Sequence, residues 1–208
     1  AHGRYVGNGP VGQSVRALQL VLADGQIVEA NRQQNASLFR AALGGYGAVG
    51  VITEIELDLV PNERMERVVK SVRLEDYPAF FRDHVQADGA SLMHNADLMP
   101  PHFDEPVSVT WRRTELPLTE PARLVPQGQR YALEQNVIWL MTEVPGAERL
   151  RKAVVHPLLN KGQAVVWRNH EASLDAAELE PRTRRMSTYV LQEYFVPPRN
   201  FVAFARGM

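Results

Sequence analysis

Ser37-Leu-Phe-Arg-Ala-Ala-Leu43, Gly44-Gly-Tyr-Gly-Ala-Val-Gly50 and Val51-Ile-Thr-Glu-Ile-Glu-Leu-Asp-Leu-Val-Pro61 follow one another without a break. The first piece reads as a short helix, the second as a glycine turn and the third as a strand. Residues 45–50 spell G-x-G-x-x-G. In dinucleotide-binding folds that spelling follows a strand and opens a helix, so that a pyrophosphate meets the helix N-terminus. Here a helix leads in and a strand leads out, and that reading fails. Two readings remain for the bare backbone of this junction. It lets a flat ligand approach where no Cβ stands in the way, or it is a plain helix C-cap with a tight turn.

Outward from this junction the chain is patterned on both sides. Residues 1–15 are glycine-rich and loop-like, with a second G-x-G-x-x-G spelling at Gly7-Asn-Gly-Pro-Val-Gly12. It fails as well: Pro10 interrupts the turn, and the residues that follow, Arg16 to Ala23, alternate as a strand. Asp24-Gly25 signals a hairpin and residues 26–30 the return strand. Asn35 is placed to N-cap a helix over 36–43. In the strand over 51–60, Ile52, Leu57 and Leu59 mix with Glu54, Glu56 and Asp58, a half-exposed pattern that Pro61-Asn62 ends. The fold class is α+β, with a domain boundary near 62–65.

Beyond the boundary, residues 66–73 begin a new section, and Asp76 is placed to cap a helix over 77–86 carrying Phe80, Phe81 and Val85. Strands are expected at 91–98 and 106–114, a proline-rich linker at 116–128, and helices at 129–143 and 147–159. A last strand, 187–197, precedes a helix that Pro198 opens.

Bulk composition excludes several classes. The 208 residues are 45% hydrophobic and 23% charged with a net charge of −1. That balance is ordinary for a globular protein and points away from nucleic acid or an anionic membrane as the main partner. The absence of cysteine removes disulfides, thiolate metal sites and cysteine nucleophiles. The six histidines lack metal-ligand spacing, and no apolar run reaches membrane-span length. The chain opens without Met and closes within a helical pattern, so both ends read as cuts inside a longer protein. A cytoplasmic location is the expectation, with any targeting signal lying outside this chain.

Taken together, Ala1-His-Gly-Arg4, Gly12-Gln-Ser-Val-Arg16, Leu20-Val-Leu-Ala-Asp-Gly-Gln-Ile-Val28 and the run from Leu38 to Glu54 resemble the FAD-linked oxidases of the vanillyl-alcohol-oxidase superfamily, with its PCMH-type FAD-binding domain. The nearest group is that of the aldonolactone, alditol and decaprenylphosphoryl-ribose oxidases. Leu191-Gln-Glu-Tyr-Phe-Val-Pro197 is similar to a cap-domain strand of that group, whereas residues 65–185 match only loosely. The resemblance implies that 1–62 form the C-terminal sub-domain of the FAD-binding domain and 63–208 part of a substrate (cap) domain. It also implies hydride transfer from a hydroxyl-bearing carbon to flavin N5.

On the same resemblance, FAD is contacted by His2 and Gly3 near the ring end and by Gly50, Val51 and Ile52 where the turn meets the strand. A polyhydroxylated small molecule is contacted by Arg4, Gln192 and Tyr194. The bland alternatives are an exposed terminal histidine, a surface arginine and a strand with one solvent face. Gln192 and Tyr194 share a face if the segment is a strand. Residues 167–175 read either as pocket residues or, in preference, as a solvated loop; His94, Asn95 and Asp97 resemble a polar cluster but are explained equally by a strand and its turn; Arg182, Arg184 and Arg185 read as a solvated face. No residue stands out as the catalytic base or as part of a serine–histidine–acid arrangement. The electron acceptor is open. The competing reading of the whole is an α+β binding module without flavin, or an inactive core.

Overall fold

Leu18 and Leu20 occupy alternate positions of one strand and lose essentially all contact with solvent, and the first half of the chain is organised around them. That strand, β1 (Val15–Val21), is the centre of a three-stranded antiparallel sheet. β2 (Ile27–Asn31) returns along one side of β1 through the hairpin at Asp24-Gly25, and β3 (Val51–Leu57) runs along the other. The Asp24 carboxylate accepts from the Gln26 N–H at 3.0 Å, the local bond expected of an aspartate in a turn. Helix α1 (Ala36–Ala42) lays Phe39 and Ala42 on the sheet, closing a core with Val15, Leu18, Leu20 and Ala30. Burial of a residue such as Phe39 contributes about 2–3 kcal/mol.

The computed structural model of the chain describes residues 4–98, 102–126, 128, 132–144, 146–147, 162–174, 183–185, 188 and 192–208. It divides into two compact units, Ala1–Pro61 and Asn62–Met208.

In the first unit Asn35 stands at the N-cap position, but it does not cap. Its φ of 49° is left-handed, and its side-chain amide donates instead to the Glu29 carbonyl at 2.7 Å. β3 is exposed at every residue rather than half-exposed, because it is an edge strand that α1 does not cover.

In the second unit, β4 (Arg64–Ser71) lies between β6 (Val107–Arg113) and β7 (Val165–Trp167), with β5 (Ser91–Asp97) outside β6, all antiparallel. Register assigns the faces. Met65, Met93, Val107, Trp111 and Val166 share one, while Glu66, Val68, Lys70, His94, Ser108, Thr110 and Arg112 share the other. Helix α2 (Tyr77–Phe80) continues into a π-helical turn, Phe81–Gln86, that buries Val85. Asp76 offers no side-chain cap to α2 and pairs with Arg73 instead. Helix α3 spans Ala132–Glu143.

Two expectations fail here. Arg168–Ala172 is a helix, α4, with Arg168 and Glu171 buried, not a solvated loop. Its three-residue strand β7 is too short to announce itself by alternation. Residues 192–197, expected as strand, are in no ladder, and Gln192 to Phe195 are exposed. An alternating sequence becomes a strand only where a neighbouring strand pairs with its N–H and C=O groups in a ladder. Pro198–Asn200 form a short 3₁₀ turn that leads into helix α5 (Phe201–Arg206). The helix expected at 147–159 and the earlier part of the 187–197 segment lie largely outside the described residues.

Gly50 has φ +152°, and a Cβ built on it would stand 2.7 Å from the Val21 carbonyl oxygen; one on Gly47, at φ +79°, would meet nothing within 4 Å. Gly50→Ala is therefore expected to cost about 3 kcal/mol and Gly47→Ala about 1 kcal/mol. Urea midpoints of the two variants check the order; equal losses would mean that the turn does not press on β1.

Candidate functional site

The helix-to-strand junction forms the rim of a cleft of about 280 Å³ lined by Ala42, Gly47, Val49, Gly50, Val51 and Ile52. Its construction is local. The last turn of α1 delivers Ala42, whose carbonyl accepts from the Gly45 N–H at 3.3 Å, and the Gly45 carbonyl accepts from the Ala48 N–H at 2.9 Å. These two bonds fold the turn so that residues 47–50 lead straight into β3. None of the described lining residues is charged. The cleft therefore offers an apolar wall and main-chain polar groups, a combination that suits a flat, largely apolar ring carrying a few directional acceptors or donors.

The glycines divide the work. Gly50 is glycine because the chain's own Val21 carbonyl lies against it, and its bareness is explained without any ligand. Gly47 has open space where a side chain would project, and so keeps one side of the cleft clear. Beyond the turn, β3 exposes Val51, Ile52, Ile55 and Leu57 together with Thr53, Glu54 and Glu56, and of these Val51 and Ile52 line the cleft.

Of the residues expected to touch a cofactor, Gly50, Val51 and Ile52 come together at this cleft; His2 and Gly3 lie outside the described residues. Ala42, Gly47 and Val49 also line it. Gly47 was legible in the glycine spelling, whereas Ala42 and Val49 carry no signal beyond being apolar. Arg4 is exposed in the first unit. Gln192 and Tyr194, in the second unit, stand side by side: the Tyr194 hydroxyl donates to the Gln192 side-chain oxygen at 3.0 Å. The Tyr194 ring lies 5.2 Å from that of Phe204 on α5, which fixes the phenol over the final helix.

His94 is separated from Asn95 and Asp97, which share the opposite face of β5. His94 instead bridges Tyr77 and Thr110. Its Nε2 lies 2.8 Å from the Tyr77 hydroxyl and its Nδ1 2.9 Å from Thr110 Oγ1. A neutral imidazole satisfies both contacts, accepting at one nitrogen and donating at the other. Burial favours that neutral form and pushes His94 down to about 4; burial likewise pushes the Tyr77 phenol up to about 12. Nearby, the Arg112 guanidinium holds the Asp88 carboxyl at about 2, with Ser91 and the Ala90 N–H adding hydrogen bonds.

No protein-family model matches the chain. Over 81 residues it is 36% identical to cytokinin dehydrogenase 9 of Oryza sativa subsp. japonica, and 33% identical to cytokinin dehydrogenase 1 of Arabidopsis thaliana. Those matches span 39% of this chain and 15% and 14% of the relatives. Over 60 residues it is 40% identical to the Neurospora crassa protein named "Putative D-arabinono-1,4-lactone oxidase", spanning 29% of this chain and 11% of that one. The names are those of oxidoreductases, and the chain spans a small part of each. Among the described residues, no helix is long and apolar enough to cross a membrane.

The His94 bridge predicts a pH effect whose sign follows from proton counting. Between about 6.5 and about 4 an unfolded histidine binds a proton that the folded one refuses, so stability falls as pH drops through that window and is level above it. Chemical unfolding at stepped pH should show the decline in the native chain and a flatter profile in His94→Gln; the same slope in both would remove His94 as its source.

Proposed function

We propose that the chain is part of an FAD-dependent oxidoreductase acting on a hydroxyl-bearing carbon of a sugar, lactone or polyol. The first unit is read as the C-terminal sub-domain of a PCMH-type FAD-binding domain and the second as part of a substrate domain. The observation that carries this reading is the uncharged cleft at Gly47–Ile52, which falls on the residues that the resemblance assigns to the cofactor. The oxidoreductase names of the relatives support the same class.

The residues present suit a flavin ring. Ala42, Val49 and Val51 supply apolar contact, Gly47 leaves room, and the main chain of Val51 and Ile52 supplies hydrogen-bonding groups at the start of an edge strand. When bound, the flavin supplies the hydride acceptor at N5. The chain's own contribution is to seat the ring against a rigid strand, so that its orientation is set before substrate arrives. His2 and Gly3 complete the proposed cofactor contacts. Each unit supplies proposed substrate contacts of its own: Arg4 in the first, a guanidinium able to hold a hydroxyl oxygen, and Gln192 with Tyr194 in the second, an amide and a phenol able to hydrogen-bond hydroxyl groups.

A second reading has one observation in its favour: Val21 alone accounts for Gly50, as a tight turn in a binding module without flavin would require. The readings part at Gly47. Titrating FAD against the chain and following flavin fluorescence should give saturable quenching, and Gly47→Val should weaken it by about tenfold or more while circular dichroism stays unchanged. Absence of quenching, or identical titrations for both proteins, would favour the module.

A further inference from the structure

A second cleft, of about 380 Å³, lies in the second unit on the sheet face that carries His94 and Thr110. Its lining includes Val68, Lys70, Phe80, Ser108, Thr110 and Arg112, and its size falls at the lower end of small-molecule sites. The π-helical turn Phe81–Gln86 contributes Asp83 and His84 to its wall; such turns recur beside functional sites.

Two features set it apart from a surface furrow. Ser108 is 1% exposed, and its hydroxyl has no hydrogen-bond partner among the described residues, a costly state for a buried polar group. Lys70 is the direct cross-strand neighbour of Ser108 on the same face. The other formal charges of the lining are matched: Asp83 takes Arg82 in two hydrogen bonds, and Asp88 takes Arg112 at 2.8 Å. His84 stacks at an angle against Phe80, 5.4 Å away, and Glu66 on β4 faces Arg112. Lys70 is left with only the Phe80 ring, 5.5 Å from its ammonium, as its described interaction.

We propose that this cleft binds a small monocarboxylate with an apolar or aromatic body. The Lys70 ammonium and the Ser108 hydroxyl take the carboxylate, and Phe80 and Val68 flank the body. An ammonium and a hydroxyl both donate, and a carboxylate accepts from both at once. One unmatched cation calls for one negative charge. Entry requires the exposed Lys70 side chain to leave the Phe80 ring, a rotamer change and not a backbone movement. The site is independent of the flavin reading, since it lies wholly within the second unit and uses none of the residues assigned to cofactor or substrate.

Benzoate, its uncharged isostere benzamide and inorganic phosphate serve as probes, titrated into the ¹⁵N-labelled full chain. Benzoate should shift the amide signals of Lys70, Ser108 and Thr110 saturably, and benzamide should bind about tenfold more weakly, the loss of one charge-assisted contact. Lys70→Met should weaken benzoate to the level of benzamide. Ser108→Ala is the sharper variant. If the hydroxyl is merely an orphan, its removal leaves benzoate affinity unchanged and stability equal or higher; if it holds the ligand, affinity drops severalfold while the fold is kept. Saturable phosphate binding without benzoate binding would replace the carboxylate with a different oxyanion and overturn the proposal, as would equal affinity for benzoate and benzamide. Because FAD quenching in the first unit is read separately, failure here leaves the oxidoreductase reading standing, and the reverse holds too.

Discussion

The carbonyl of Val21 lies against residue 50 so closely that only glycine fits there, and the first unit depends on that contact. It ties the end of β1 to the start of β3, and so fixes where the edge strand begins and which backbone groups stand at the cleft. The helix before it is held by Phe39 and Ala42 in the core. Between two anchored ends, residues 44–50 have little choice of path. The cleft is the remainder of that geometry: a short turn crossing from a packed helix to an edge strand leaves an uncharged hollow, and Gly47 leaves it unfilled.

This division of roles changes how the glycine spelling is to be understood. The sequence shows four glycines within seven residues and invites a single explanation for all of them. The structure supplies two. Gly45 and Gly50 answer to the protein's own backbone, at the Ala41 and Val21 carbonyls, while Gly44 and Gly47 face open space, and of these two Gly47 lines the cleft and bears on binding. A flat cofactor seated on Val51 and Ile52 would meet a strand already locked by its pairing with Leu20 and Val21, which is the preorganisation that a redox site needs.

The first unit was largely legible because its signals are local and strong. Leu18 and Leu20 alternate, Asp24-Gly25 marks the hairpin, and the helix period over 36–42 gives way to glycine. Asn35 shows the limit: a good capping residue was diverted to the Glu29 carbonyl by its left-handed backbone. In the second unit β5 and β6 were expected as strands, and β4 was marked only as the start of a new section; β7 and α4 were not read, since Val165–Trp167 is too short for a pattern and buried Arg168 and Glu171 imitate a solvent face. Gln192 and Tyr194 meet through a side-chain hydrogen bond rather than through strand geometry. His94 was visible as a histidine, but its partners Tyr77 and Thr110 come from elements distant in sequence, and nothing local announces them.

Hydrogen–deuterium exchange across the glycine turn, with and without saturating FAD, tests the central claim most directly. Slower exchange at the amides of residues 47–52 is the result the cleft predicts. Unchanged exchange there, or protection appearing only elsewhere in the chain, would contradict it.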